Sequence, residues 1–262
     1  MVDTLAPRIS RQDAVFSWSE HEGWTTARQE PAREVALTIY LDKVELATLM
    51  CTPEKLNFLV AGFLRTEGII GRLDDLALMR VCDEEQMAEV RLMRPVQIQG
   101  KRILTSGCGG GVSFDEGETL PPVAADLSLS PRQLTKAMKL LQGAEMPARD
   151  GMHRSALSDG ERLLVVARDV GRHNTLDKIW GECLFQGINP AGKLLLSSGR
   201  LSSEMVVKAA RMGVPVVASL NSATDRAVGL GKRLGITLAG HVRGTRMDVY
   251  CHRERLDGAN GE

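Results

Sequence analysis

The sequence predicts a mixed α/β protein, α+β overall, with a smaller β-rich N-terminal region and a C-terminal three-layer α/β domain. Three observations carry this reading. Segments with strand and helix character alternate from residue 193 to 242, the rhythm of a parallel sheet covered by helices. Short β-prone runs joined by turn residues fill residues 34–94. The chain has 262 residues, enough for one large or two small domains with a substantial core.

Residues 1–30 are polar and weakly patterned and read as a loose tail. "EVALTIYL" (34–41) and "VELATLM" (44–50) flank Asp42-Lys43 as a hairpin. Thr52-Pro53 then opens a helix, since Thr can cap and Pro suits a first turn. Leu56, Leu59, Phe63 and Leu64 fall on one helical face, a core stripe, and Gly68 stops the helix. "LALMRVC" (76–82) and "MAEVRLMR" (87–94) make a second hairpin, and 96–104 continue as extended chain. The acidic, then proline-bearing stretch 115–130 is the expected boundary. It divides a β-rich region with one helix (31–127) from an α/β domain (128–262).

Ser130-Pro131 caps the next helix, which carries Leu134, Met138 and Leu141. "MHRSALS" and "ERLLVVARD" pair around Asp159-Gly160. A helix follows with Leu176, Ile179, Trp180, Cys183 and Leu184 in step, ended by Gly187. Then come a strand (193–198), a helix (202–212) stopped by Gly213, a strand (214–220), a helix (224–235) and a strand (236–242). "RMDVYCH" (246–252) adds a last strand.

Composition excludes several classes. Apolar residues make up 43% and charged residues 25%, ordinary for a globular protein. The 33 basic and 33 acidic residues cancel, which argues against a nucleic-acid partner. No run of 18 apolar residues exists, so no membrane span is expected. "MVDTLAPRISRQDAVFSWSE" has no apolar h-region, so no secretory signal is expected. The five cysteines (51, 82, 108, 183, 251) are widely spaced with no CxxC. They read as reduced thiols in a cytoplasmic protein. None sits in a cluster with zinc spacing, so no metal site is expected.

Cys108 stands out in "ILTSGCGGGVSF" (103–114). Gly107 and Gly109 to Gly111 leave bare backbone around the sulfur, and consecutive N–H groups can cradle an anion. Such donors lower a thiol pKa and raise its reactive fraction. A flexible loop holding an inert thiol is the alternative.

A second cluster is "ARDVGRHNTLDK" (167–178), where Asp169, Arg172, His173, Asn174, Asp177 and Lys178 lie at a strand-to-helix junction. Ligands of open α/β sheets bind at such junctions, and helix N-termini favour phosphate. "SSGRLSSE" (197–204) repeats the arrangement with Ser198, Gly199 and Arg200, and "SLNSATD" (219–225) repeats it with Asn221, Ser222 and Thr224. Capping and turn chemistry explain any one of these, whereas several in one sheet make a polyanion-binding edge. "GHVRGTRMDVY" (240–250) sets His241 beside Arg243 and Arg246, and two guanidiniums around a glycine suit a phosphate or a guanine edge. His153 reads as a hydrogen-bonded structural histidine. Gly229, Gly231 and Gly235 lie in a helix and are no dinucleotide fingerprint.

Five segments together resemble the FdhD/NarQ family of formate dehydrogenase accessory sulfurtransferases. They are "GFLRTEGII" (62–70), "LTSGCGGG" (104–111), "DVGRHNTLDK" (169–178), "SSGRLSSEMVVKAARMGVPVV" (197–217) and "GHVRGTRMDVY" (240–250). The resemblance implies a cytidine-deaminase-like C-terminal fold. It implies a sulfur carrier that takes persulfide sulfur from a cysteine desulfurase on Cys108. Delivery would be to the molybdenum cofactor of the formate dehydrogenase catalytic subunit, a bis-molybdopterin guanine dinucleotide, so that a GDP-like ligand is also expected. His241, Val242, Arg243, Gly244, Thr245 and Arg246 match the cofactor-contacting segment. With Arg172, His173, Ser198, Gly199 and Arg200 they make the candidate cofactor site. A homodimer is also implied.

The resemblance departs at one position: the commoner pattern in the loop is Cys-x-x-Cys, and here the second place is Gly111. A disulfide inside the loop is therefore impossible, while a persulfide on one cysteine needs only one nucleophile per step. The alternative reading is a cofactor-binding chaperone module without sulfur transfer. A deaminase-like hydrolase is disfavoured because its zinc signature, His-x-Glu together with Pro-Cys-x-x-Cys, is absent.

Overall fold

A computed structural model of the chain describes residues 15–27, 31–94, 119–124, 127–143 and 151–257. Within the stretch expected to be a loose tail, β1 (Val15–Ser19) and β2 (Gly23–Ala27) pair as an antiparallel hairpin with Trp18 opposite Trp24. Aromatic cross-strand pairs stabilise such ribbons. Phe16, Trp18 and Trp24 are exposed, so the hairpin carries none of the one-sided burial that would mark it in sequence.

The N-terminal lobe is a four-stranded sheet in the order β4-β3-β6-β5, with β3 Val35–Leu41, β4 Val44–Cys51, β5 Leu76–Cys82 and β6 Met87–Leu92. Both expected hairpins form. Asp42 (φ 48) and Lys43 (φ 71) take the left-handed conformations that a two-residue turn between twisted strands demands. Alternate residues Leu37, Ile39 and Leu41 are buried against helix α1 (Leu56–Thr66), which supplies Leu59, Val60, Phe63 and Leu64. The helix starts three residues after Pro53, with Lys55 at its N-cap and no side-chain cap. Thr52 does not cap it, because its polar groups are taken by the other lobe: its N–H donates to Asp169 Oδ2 at 3.1 Å, and its Oγ1 accepts from Val170 N–H.

The C-terminal lobe has the expected three layers around a six-stranded sheet, ordered β12-β11-β10-β9-β7-β8. Its strands are β7 His153–Ser158, β8 Leu163–Asp169, β9 Leu194–Ser197, β10 Val216–Ser219, β11 Thr237–Arg243 and β12 Arg246–Cys251. The neighbours β9, β10 and β11 run parallel, joined by right-sized helical crossovers. On one face lies α2 (Pro131–Gly143), whose Leu134, Met138 and Leu141 pack on Leu194, Leu196, Val216 and Ala239. On the other lie α3 (Arg172–Gln186), α4 (Ser203–Arg211) and α5 (Asp225–Leu234), packed on Leu157, Leu195, Val217 and Leu238. Burial on both faces is why β9 reads Leu-Leu-Leu without alternation.

Capping follows the sequence here. Gln133 N–H donates to Ser130 Oγ and Ser130 N–H to Gln133 Oε1, a capping box at α2. Leu120 and Val123 already pack on this lobe, ahead of the expected boundary at residue 128. Val123 N–H donates to Leu234 O.

Two devices stand out among the contacts that join the lobes. First, α1 and α3 cross with backbones in contact: a Cβ on Gly62 would lie 1.8 Å from Asp177 O, and one on Gly181 1.8 Å from Phe58 O. No residue but glycine fits either place. Second, a buried polar latch holds the end of β4 to the β8–α3 turn. Asp169 and Lys178 pair at 2.6 Å, Lys178 Nζ donates to Thr52 O, and Asn174 Nδ2 donates to Met50 O and Asp169 Oδ1.

Candidate functional site at the carboxyl edge of the sheet

The carboxyl ends of β8, β9, β10 and β11 share one edge of the six-stranded sheet, and α3, α4 and α5 begin there. The antiparallel strands start at the same edge, which sets His153 opposite Asp169 and Arg246 opposite Arg243. The topology thus brings the polar turns singled out in sequence into one row.

The strand-end serines build the turns. Ser197 Oγ accepts Gly199 N–H, and Ser219 Oγ donates to Gly199 O at 2.5 Å while accepting Asn221 N–H. Ser198 exchanges bonds with Arg154: Arg154 N–H donates to Ser198 Oγ, and Ser198 N–H to Arg154 O. Asn221 O accepts His241 N–H, and Leu201 bridges Ala223, so the turns after β9, β10 and β11 are tied together. A Cβ on Gly199 would meet Arg172 Cβ at 3.1 Å and His153 Nδ1 at 3.2 Å, which places the start of α3 and the start of β7 against this turn. Arg172 Nε is buried and has no partner among the described residues.

His173, in the first turn of α3, sits between two groups of α4. Its Nε2 is 3.0 Å from Ser202 Oγ, the N-cap of α4, and its Nδ1 is 3.4 Å from Glu204 Oε2. Glu204 Oε1 lies 3.8 Å from Lys208 Nζ, which pairs with buried Asp177 at 2.6 Å. Thr66 Oγ1 of α1 donates to the other Asp177 oxygen. Burial, with the Lys208 and Arg172 cations and the neighbouring His153, pushes the His173 imidazole down to about 3. Burial also holds His153 below its ordinary value, with Arg172 adding to the effect. Burial raises the carboxyls of Asp177 and Glu204 against the opposing pull of Lys208.

At the far end of the row, His241 is exposed and held at φ 49, where the β11–β12 ladder shifts register. Its Nδ1 is 2.8 Å from Asp248 Oδ2. Arg243 Nε donates to Leu220 O, which ties β11 to the turn after β10. Arg243, Gly244, Thr245 and Arg246 are exposed. Among the described residues no carboxylate pairs with Arg172, Arg200, Arg243 or Arg246, so a neutral chain gathers cationic groups along this edge.

The profile described as the FdhD/NarQ family matches residues 32–257. This chain belongs to the FdhD/NarQ family. The "Sulfur carrier protein FdhD" of Bacillus subtilis (strain 168) is 36% identical over 232 residues, covering 85% of this chain and 88% of that one. The protein of the same name from Bacillus pumilus (strain SAFR-032) is 32% identical over 261 residues, covering 96% and 99%. A crystal structure described as a formate dehydrogenase accessory protein from Desulfotalea psychrophila aligns with TM-score 0.75 and 26% identity, over 93% of this chain and 97% of that one. No helix among the described residues is long and apolar enough to cross a membrane.

In this FdhD/NarQ chain the structure divides the residues singled out in sequence. Arg172, His173, Ser198, Gly199, Arg200, His241, Arg243, Gly244, Thr245 and Arg246 all lie along the carboxyl edge. Val242 is among them by position, but its side chain is buried in the core beneath α2. Asp169, Asn174, Asp177 and Lys178 are buried and bonded within the protein, so four of the six residues singled out in this cluster join the lobes and do not line the edge. Cys108 and its glycine loop lie outside the described residues. Glu204 and Lys208, which stand behind His173, were not singled out from sequence, where a Glu and a Lys four apart are the ordinary spacing of an exposed helix pair.

The other cysteines are placed. Cys51, Cys183 and Cys251 are buried. Burial pushes the Cys51 thiol up to about 12, with the Asp169 charge adding, and the Cys183 thiol up to about 12. Burial raises Cys251 as well, and its thiol donates to Ile236 O. Cys82 is half-buried on β5, an edge strand.

Proposed function

We propose that this chain is a sulfur carrier serving formate dehydrogenase, with Cys108 as the carrying thiol. The Cys108 thiolate attacks the outer sulfur of a desulfurase persulfide. The new S–S bond forms on Cys108, and the desulfurase cysteine leaves as thiolate. The persulfide then gives its outer sulfur to the molybdenum cofactor of the catalytic subunit: the S–S bond breaks, Cys108 leaves as thiolate, and the two electrons that take the sulfane sulfur to sulfide come from an external dithiol, which ends as a disulfide. That cofactor is the substrate of the transfer, and the edge residues suit its diphosphates: Arg172, whose buried Nε has no partner among the described residues, and exposed Arg200, Arg243 and Arg246.

The observation that supports Cys108 most is the fate of the other thiols. Three of them are shut in apolar cores with raised pKa, and a thiol at about 12 is thiolate in only about one part in ten thousand at pH 8. The relatives named sulfur carrier proteins supply the chemical class. Limited alkylation of the native chain with peptide mapping tests the assignment. Cys108 is expected to be modified first, and Cys51, Cys183 and Cys251 only on unfolding. If Cys108 reacts no faster than the buried three, the assignment fails. A Cys108→Ala chain that still supports formate dehydrogenase would favour a cofactor-binding chaperone instead.

A further inference from the structure

The groups Ser202, His173, Glu204 and Lys208 run in line from the carboxyl edge into the protein. In outline this is a serine, a histidine and a carboxylate, the set that activates a nucleophile in hydrolases. The surroundings work against that use. The charged and titratable groups around His173 are Glu204 and Lys208 from α4, Arg172 from its own helix and His153 from β7. Two cations and burial oppose a second proton on the ring, so the imidazole stays neutral and is a poor base.

A neutral imidazole bonded on both sides has a defined polarity. The Glu204 carboxylate facing Nδ1 favours the proton there. Nε2 is then an acceptor, and Ser202 Oγ–H is directed to it. Ser202 Oγ also accepts Met205 N–H, as the helix cap, and Ser202 is partly exposed at the edge.

We infer that His173, held by Glu204 and Lys208, is a positioning residue that fixes the Ser202 hydroxyl as a hydrogen-bond acceptor for an N–H group of the bound ligand. The ligand class is a nitrogen heterocycle with N–H or amino donors that also carries anionic groups for the strand-end arginines. This ligand class rests on the function proposed above, whereas the relay itself does not.

Nitrogen-15 NMR of the histidines in the full chain tests the relay without any ligand. His173 should show the Nδ1–H tautomer and no titration between pH 5 and 9. An Nε2–H tautomer, or titration in that range, overturns it. Ser202→Asp keeps an oxygen cap for Met205 N–H and puts a carboxylate on Nε2, so the His173 titration should rise by about 1–3 units. No rise would place Ser202 out of contact with the ring and also overturn the relay.

Titration with GDP and, separately, pyrophosphate tests the ligand contact. Ser202→Ala should weaken GDP by about tenfold with pyrophosphate unchanged, and Ser202→Thr should restore GDP binding. Equal weakening of both ligands by Ser202→Ala would reduce Ser202 to a helix cap and overturn the contact. Wild type that binds neither ligand contradicts the cofactor reading and the ligand class together, and leaves the relay to the NMR result.

Discussion

The Asp169 carboxylate and the Lys178 ammonium meet at 2.6 Å with neither side chain exposed to solvent. Asp169 also accepts from Thr52 N–H, Gly171 N–H and Asn174 Nδ2, and Lys178 donates to two backbone carbonyls. Every charge in this latch is compensated, which is the condition for burying one.

Removing one partner should therefore be far more damaging than removing both. Lys178→Met leaves buried Asp169 without its cation, and is expected to cost about 3–5 kcal/mol. The double variant Asp169→Leu with Lys178→Met should recover part of that loss. Urea denaturation with a common m-value measures both. A single variant within about 0.5 kcal/mol of wild type would contradict the compensated-latch account.

The α1–α3 crossing predicts a steric result. Gly62→Ala and Gly181→Ala each put a methyl 1.8 Å from a carbonyl oxygen, so the helices must separate. Each should lower stability by about 1–3 kcal/mol or more. Gly229→Ala, a helical position where a Cβ meets nothing within 4 Å, is the control and should stabilise by about 1 kcal/mol. Thermal melts of the three variants distinguish packing from propensity.

His173 predicts a pH dependence. Its folded value is about 3 against an ordinary 6.5, so between these limits the unfolded chain binds the extra proton. The contribution is complete above pH 6.5 and is lost as pH falls toward 3. Raised carboxyls at Asp177, Glu204 and Glu67 act in the opposite sense: the folded state keeps their protons longer, and stability falls as pH climbs through their raised range. Comparison with His173→Gln isolates the imidazole. Wild type should gain stability with pH more steeply than the variant between pH 4 and 6, by up to about 1.4 kcal/mol per unit. Parallel slopes would contradict the depressed value.

Guanine nucleotide binding should depend on the edge arginines. Arg243 is exposed beside Arg246 and fixed through its Nε to the turn after β10. Titration of GDP against wild type and Arg243→Ala should show roughly a tenfold or greater loss, from the ~1.5–3 kcal/mol of a charged contact. Unchanged affinity counts against this edge as the nucleotide site.

Much of this was legible in the sequence, for physical reasons. The β3–β4 hairpin announces itself by alternation with a two-residue polar turn, and the helix–strand alternation after residue 193 by its crossover lengths. The strand-end turns were visible because polar residues and glycine between a strand and a helix have few other uses. The start of α1 was misread because Thr52 has ideal capping chemistry, yet it bonds to Asp169, 117 residues away. The β1–β2 hairpin was missed because it buries too little to leave a pattern. Lys178 stood in sequence within a candidate ligand-binding cluster, and Lys208 was not singled out. Only the folded chain encloses Lys178 with Asp169 and Lys208 with Asp177.

The central claim is that Cys108 carries sulfur, and the intact mass of the chain after incubation with a cysteine desulfurase and cysteine tests it most directly. The account predicts a gain of one sulfur atom, mapped to Cys108, removed by reductant and absent from Cys108→Ala. Gly111 offers no second thiol to expel that sulfur, so it should persist until an acceptor arrives, and Gly111→Cys should shorten its lifetime by closing a disulfide. A wild-type chain that acquires no sulfur from a competent desulfurase, or acquires it equally without Cys108, would contradict the carrier account.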